Sequence, residues 1–363
     1  MTQASAARPA EFDSARAEAF AERMVGVLND AATALMTSIG HRVGLFDAMA
    51  GLPPSTGAEV AAAAGLDQRY VREWLAQMTV ARIVEHDPAA GTFRLPPEHA
   101  ASLTRAAGPE NLGIQAQYVG LLGTVEPLVA ACFQAGGGVP YSAFGEFHRL
   151  MAEDSASVHD AGLLEHVLPL VPGLPDRLAA GIDVCDVGCG SGHAVCLMAK
   201  AFPASRFTGY DFSEEAIASS RREAEARGLA NVRFEVRDVA GMEERNAFDL
   251  VTAFDAIHDQ ARPAEVLACV ARALRPDGVF LMVDIRASSD LADNMDHPFA
   301  PFLYTASTMH CMTVSLADGG MGLGTMWGRQ TATRMLNEAG FRDVRIVEAP
   351  HDAFNDYYIA RPG

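Results

Sequence analysis

The sequence predicts an α/β protein whose C-terminal half holds a mostly parallel sheet and whose N-terminal part is mostly helical. Three observations carry this. Strand-like and helix-like segments alternate from residue 182 to the end. IDVCDVGCGSGHAVCLMAKAF, residues 182–202, runs strand, glycine turn, helix. Between residues 55 and 95 a helix, a turn, a second helix and a short hairpin follow one another.

In chain order, residues 14–50 read as helix. Ala, Leu, Met and Val recur at helical spacing, with few breakers before Gly40 and Gly44. STGAEVAAAAGLDQRYVREWLAQMTVARIVEHDPAAGTFRL then gives two helices split by Gly-Leu-Asp, and a hairpin of 83–86 with 92–95. That order is a winged helix-turn-helix. A wing that reads DNA should be basic. Residues 41–105 carry six Arg against seven Asp and Glu, so the motif reads as a dimerisation module that also walls a pocket. Residues 111–134 and 146–168 look helical around the loop AGGGVPYSAFG, and PLVPGLPDRL marks a boundary by its three prolines. Beyond it the spacing predicts strands at 182–187, 206–210, 231–236, 248–253, 279–284, 343–348 and 356–361. Helices are expected between them at 192–202, 213–228, 262–274 and 329–339. The expected domains are a helical and winged-helix dimerisation domain at 1–110, a helical connector covering the pocket at 111–175, and an α/β domain at 176–363.

Composition narrows the partners. Lys and Arg number 28 and Asp and Glu 46, a net charge of −18, which disfavours nucleic acid and anionic membrane. No apolar run is long enough to span a bilayer, and the first residues lack the apolar stretch of a signal peptide. Cys132, Cys185, Cys189, Cys196, Cys269 and Cys311 form no CxxC pair and sit mostly in apolar contexts. Buried, reduced thiols and a cytoplasmic protein are expected.

The glycine turn points to a nucleoside ligand. Gly188, Gly190 and Gly192 permit a tight turn before a helix whose first N–H groups are free. Asp211 ends the next strand, 23 residues after Gly188, where a carboxylate can accept both hydroxyls of a ribose. Dinucleotides favour G-x-G-x-x-G, with a pyrophosphate on the helix N-terminus. Here Asp186 opens the loop and would repel a pyrophosphate, but suits the ammonium of an amino acid. A cationic ligand with a ribose and no phosphate is favoured: S-adenosylmethionine.

DVGCGSG, YDFSEEAI, VRFEVRD, FDLVTAFDAIHD and ALRPDGVFLMVD follow in the order of class I methyltransferase motifs, and the chain resembles that family over roughly residues 163–363. The resemblance implies a Rossmann-like domain with strand order 3-2-1-4-5-7-6 and an antiparallel last strand. It implies that Asp211 holds the ribose, Asp238 the adenine amine, Gly188 and Gly190 the methionyl part, and Asp186 the ammonium. Asp255 joins this cofactor-binding group.

FDAIHDQ, residues 254–260, ends the fourth strand, where ligands of open α/β sheets bind. His258 and Asp259 resemble the His-Asp pair of winged-helix small-molecule O-methyltransferases, in which the His is the general base. A longer stretch, residues 286–330, carries His310 in ASTMHCM, 52 residues after His258. That combination resembles metal-dependent 2-oxo acid C-methyltransferases. It implies His258, Asp259 and His310 around Fe, Co, Ni or Zn, and methylation at C3 of a branched-chain or aromatic 2-oxo acid through a metal-stabilised enolate. The alternative is a metal-free O-methyltransferase with His258 as base. A transcription regulator that senses S-adenosylmethionine is a third reading, opposed by the acidic charge. A homodimer is expected. Tyr118, Gln115, Phe144, Met151, Tyr304, Met309 and Trp327 are candidates for shaping an apolar pocket, and His148 for lining it. Arg149 and Arg329 are weak candidates for a substrate carboxylate, and Asp284 and Asp296 have no assigned place.

Overall fold

The computed structural model describes residues 12–349, 352 and 354–363. The chain folds as two compact units, divided between Gly120 and Leu121.

The first unit opens with α1 (Ser14–Arg42), where the Asp13 carboxylate accepts from the Arg16 N–H at 3.1 Å. The single helix expected over 14–50 breaks at Gly44, whose φ of 74° no other residue adopts cheaply, and resumes as α2 (Leu45–Ala50). A capping box of Thr56 and Glu59 starts α3 (Gly57–Ala64), and the Asp67 side chain caps α4 (Gln68–Val80). The wing is the antiparallel pair β1 (Glu85–Asp87) and β2 (Thr92–Arg94), followed by α5 (Pro97–Ala100). Phe46, Trp74, Leu75 and Met78 fill this core. Trp74 Nε1 donates to the Met36 carbonyl at 2.9 Å, fastening α4 to α1. His41 is buried with the amides of Asn111 and Gln117 at 2.8 Å from its two ring nitrogens, a structural histidine. One face of α1 leaves Phe20, Val25, Leu28, Leu35 and Ile39 exposed. Helix α6 (Leu112–Gly123) crosses the division.

The second unit begins with α7 (Glu126–Ala135), α8 (Phe147–Gly162), a π turn at Leu163–Val167, and α9 (Leu174–Ala180). Alternation follows: β3 (Asp183–Val187), α10 (His193–Ala201), β4 (Arg206–Asp211), α11 (Glu214–Ala226) and β5 (Val232–Val236). Next come β6 (Phe248–Phe254), α12 (Pro263–Ala273) and β7 (Leu274–Ile285). Between β7 and the later helix α15 the chain forms α13 (Ala300–Ala306), a π turn at Ser307–Cys311, and α14 (Met312–Ala317). α15 (Gly328–Glu338), β8 (Phe341–Glu348) and β9 (Asn355–Pro362) close it.

The seven strands lie in the order β5-β4-β3-β6-β7-β9-β8, which is 3-2-1-4-5-7-6, and β9 runs antiparallel to both neighbours. Every expected strand is present. β7 begins five residues earlier than expected because Leu274 pairs with Phe248 across a register shift. Alternate residues feed two cores. Val184, Phe207, Leu250 and Val279 face one way, and Cys185, Tyr210, Val251 and Phe280 the other. Each such side chain contributes ~1.5–3 kcal/mol by leaving water, so the sheet is the rigid platform for what stands at its carboxyl edge. All six cysteines are free. Cys185, Cys196 and Cys269 are buried as expected, but Cys132, Cys189 and Cys311 are only half-buried. Among the described residues no single helix is long and apolar enough to cross a membrane; the bent pair Leu112–Gly123 with Glu126–Ala135 passes that test by length and composition only.

Candidate active site

Four parallel strands deliver an aspartate to one edge of the sheet: Asp186 in β3, Asp211 ending β4, Asp255 just past β6, and Asp284 in β7. The glycine turn closes the β3 end. Gly188 N–H and Cys189 N–H both donate to the Tyr210 carbonyl, at 2.8 and 3.0 Å. Gly188 has φ 70°, and a Cβ there would stand 2.5 Å from Ala256 Cβ, so only glycine fits. The Asp211 carboxylate spans the turn and α11, accepting from the Gly190 and Ser213 N–H groups at 2.9 Å each. Asp186 is buried and accepts from Thr252 Oγ1 at 2.6 Å. Burial lifts its carboxyl to about 7 despite that bond, and the Asp211 charge adds to the rise. Two acidic, phosphate-repelling acceptors at a glycine turn fit a cationic nucleoside ligand. Asp238 lies apart, exposed, capping its own turn through Ala240 N–H and paired with Arg262 at 2.5 Å.

His258 is buried just past β6. Its Nδ1–H donates to Asp284 Oδ1 at 2.8 Å. The same oxygen accepts from Trp327 Nε1 at 3.0 Å and from the Ile285 N–H at 2.9 Å, while Oδ2 is buried with no partner. Burial alone would pull the imidazole down. The Asp284 carboxylate, with the Cys311 thiol in hydrogen-bonding reach, outweighs it, and His258 sits well above its ordinary value. The backbone holds the pair: Asp255 N–H donates to the Val283 carbonyl at 2.9 Å, and Gly324 N–H to the His258 carbonyl at 3.1 Å. Asp255 itself takes φ 51°, a strained conformation for a residue with a Cβ. Its Oδ1 is buried without a partner, and burial followed by the Asp284 charge pushes its carboxyl up. Half-buried Asp259 rises to about 6 through loss of solvent, against the pull of His258.

His310, on the second π turn, is enclosed by rings. It stacks on Phe147 at 3.6 Å and 11° between planes, with Phe144 at 4.7 Å and Tyr141 at 5.3 Å edge-on. It is 2% exposed, and neither ring nitrogen has a hydrogen-bond partner. Burial, then the charges of His258 and His148, lower it to about 3. Tyr141 also meets Phe212 at 5.8 Å and His148 at 4.9 Å, and His148 Nε2 lies 3.4 Å from Ser213 Oγ. Tyr141 thus links the Asp211 end of the site to His310. Burial, then Asp259 and Asp211, keep its phenol protonated.

The structure therefore redistributes the expected roles. Asp284, with no place in the sequence reading, orients His258; Asp259, the expected partner, does not. Trp327 donates to Asp284, and Phe144 packs edge-on against His310. Arg149 is tied to Glu146 and Glu153 on its own helix, and Arg329 to Asp356 and Glu348. Among the described residues no three His, Cys, Asp or Glu side chains are grouped to hold a metal ion. The expected metal set is not assembled, because aromatic rings surround His310 and it is not grouped with His258 and Asp259; the Asp284 bond to one nitrogen of His258 is itself compatible with a metal on the other. Tyr141 and Phe147 are site residues the sequence reading missed. The signal was present for Tyr141, an aromatic residue inside the Gly- and Pro-rich loop 135–145.

Residues 31–105 match an Rv2258c-like winged HTH domain and residues 178–340 a methyltransferase domain. The fatty-acid O-methyltransferase of Mycolicibacterium smegmatis is 34% identical over 113 residues, covering 31% of this chain and 40% of that protein. The chain thus spans about 40% of the length of these curated relatives. Among solved structures, the mitomycin 7-O-methyltransferase MmcR superposes with TM-score 0.70 at 17% identity, covering 96% of this chain and 100% of that one. Human N-acetylserotonin methyltransferase in complex with SAM gives TM-score 0.65 at 18% identity, covering 98% and 99%. At such identities the likeness shows the fold. The chain carries a methyltransferase domain behind an N-terminal winged helix-turn-helix domain, and its sheet has the strand order of the class I methyltransferase fold.

Proposed function

We propose that the chain methylates a hydroxyl oxygen of a small acceptor, with His258 as the general base. The observation that carries this is the buried His258–Asp284 pair beside the carboxyl edge of β6 and β7. S-adenosylmethionine supplies the electrophilic methyl, giving a methyl ether, S-adenosylhomocysteine and a proton. Asp186 meets the ammonium, Asp211 the ribose, Gly188 and Gly190 the methionyl part, and Asp255 lies on the same side. Asp238 reaches the adenine amine once it exchanges its pairing with Arg262. Asp284 fixes the His258 ring by holding Nδ1, which leaves Nε2 for the acceptor's hydroxyl proton. The charge left on the ring after proton transfer is matched by the Asp284 carboxylate. Neighbours whose names describe O-methyl transfer support the reading.

One observation favours a second reading, methylation at C3 of a 2-oxo acid on a bound metal: His310 buries two unpartnered nitrogens in the electrostatic surroundings of His258. The site's ionisable neighbours are carboxylates and imidazoles, so an anionic acid needs an added cation there. The deciding experiment is turnover on a panel of phenols and on phenylpyruvate and 4-methyl-2-oxopentanoate, with and without chelator. Phenol methylation that survives the chelator and is lost in His258→Phe carries the first reading. Chelator-sensitive methylation of the acids, restored by metal, replaces it with the second. The exposed apolar face of α1 supports a homodimer, to be checked by light scattering on the full chain.

A further inference from the structure

His193 is the first residue of α10, directly after Gly192 of the glycine turn, and no step of the methyl transfer uses it. Both of its ring nitrogens face carboxylates. Nδ1 lies 2.8 Å from Glu223 Oε1 on α11, and Nε2 lies 2.8 Å from Asp160 Oδ1 on α8. A neutral imidazole has a single N–H, so it would leave a bare nitrogen against one of the two oxygens. The doubly protonated ring satisfies both with charge-assisted bonds. Arg227, at the end of α11, places Nη2 2.7 Å from the same Glu223 oxygen and 3.2 Å from Nδ1, so Glu223 receives two cations. The His193 side chain is 13% exposed, Glu223 24% and Asp160 59%. The α11 contact is therefore the sheltered one, and the α8 contact faces water.

Asp160 belongs to a helix that covers much of the site. α8 supplies Phe147, flat on His310, and His148, whose Nε2 lies 3.4 Å from Ser213 Oγ. Its His159 ring meets Phe254, which ends β6, at 4.9 Å. His148 and Asp160 stand at opposite ends of α8, about 18 Å apart along its axis. α8 is thus fastened at both ends, and each fastening lands beside a group that the cofactor reading uses. Ser213 follows Asp211 by two residues, and His193 follows Gly192 by one.

We propose that His193 is a positioning residue: its imidazolium clasps α8 against the start of α10, and release of Asp160 frees S-adenosylhomocysteine after methyl transfer. The clasp rests on cofactor binding at the glycine turn and is indifferent to the acceptor. A ring that loses its proton keeps at most one N–H bond and no charge, so its hold on α8 weakens whichever nitrogen is bared. The Glu223 bond, outweighing burial and joined by Asp160, raises His193 above its ordinary value of 6.5. The clasp is therefore complete below that value and lost as pH rises through the raised one. The groups facing His193 hold their charge meanwhile. Burial, then the His193 charge, lower His159 to about 4, so it stays neutral. Against burial, His193 and Arg227 keep Glu223 below its ordinary value, and the Cys196 thiol on α10 is pushed up to about 12 by burial.

The test is the dissociation rate of radiolabelled S-adenosylhomocysteine from the full chain, chased with unlabelled ligand. It is read alongside hydrogen-exchange protection of residues 155–162 in the ligand-free protein. From about pH 6 to 8.5 the wild-type rate should rise about two- to fivefold, the order of a half-exposed ion pair, while protection of α8 falls in step. His193→Gln keeps a polar side chain without the charge. It should release at the wild type's high-pH rate throughout, with no slope. Asp160→Asn should do the same, and because Asp160 is exposed it tests the clasp even where His193→Gln disturbs folding. The Asp186 titration, expected near 7, stays in both variants and so cannot produce the difference. A wild-type rate that does not change with pH, or a slope that persists in both variants, overturns the proposal. Protection of α8 that follows pH while release does not move overturns it too. No binding of S-adenosylhomocysteine at any pH sinks the cofactor reading, while α8 protection still reports on the contact between His193 and Asp160.

Discussion

Two buried imidazoles of the second unit are driven in opposite directions. His258 and His310 are both more than nine-tenths buried, yet His258 holds its proton well above the ordinary range and His310 gives it up until about 3. Burial acts alike on both. The difference is the partner: Asp284, itself without solvent, stands 2.8 Å from His258, whereas His310 meets only rings. A desolvated charge survives beside an opposite charge and not beside hydrocarbon. One strand-end carboxylate therefore separates an imidazole that keeps its proton from one that stays neutral.

The largest effect should come from breaking the charged member. His258→Phe should lower kcat about 10²–10⁴-fold with S-adenosylmethionine affinity retained, read by turnover and by calorimetry. If turnover is unchanged, the base lies elsewhere.

Next, Asp284→Asn should make His258 resemble His310. Since His258 must be neutral to accept a proton, kcat/KM should rise with pH through its elevated pKa, beginning above the ordinary value of 6.5. Removing the carboxylate should shift that inflection to lower pH while cutting the maximal rate. The linkage has a fixed sign. A raised folded-state pKa adds stability that is complete below the unfolded value and is lost as pH rises through the folded one. Wild type should therefore lose stability over that window relative to Asp284→Asn, which urea titrations at several pH values can read.

Asp186 extends the comparison to a buried carboxyl. Ligand-free, it is protonated below about 7. If its carboxylate receives the ammonium, S-adenosylmethionine affinity should fall up to about tenfold per pH unit below 7, and Asp186→Asn should flatten that slope. A slope that persists in the variant assigns the proton to another group. Trp327→Phe deletes one donor to Asp284 and should cost about 1.5–3 kcal/mol in thermal or urea unfolding.

Most of the frame was legible beforehand. Period-two apolar runs, glycines at the turn and the His258 position at a strand end each depend on a few neighbouring residues, so local sequence carries them. The three-ligand metal set was expected from a family resemblance, and no such group is found among the described residues. Asp284 was visible but silent, because nothing within 26 residues of His258 along the chain says which carboxylate will face it.

The sequence by itself determined the alternation that makes the sheet, the acid that opens the glycine turn, and the placing of His258 beyond β6. These follow from backbone periodicity and from local charge. Only the tertiary structure decided that Asp284 rather than Asp259 holds His258, that Trp327 serves that carboxylate, and that Phe147 lies flat on His310 from 163 positions away in the chain. Those pairings arise where β7 lies beside β6 and where the 286–327 stretch and α8 come together. Proton affinity depends on which charges and rings are near in space, and the chain order does not encode that nearness.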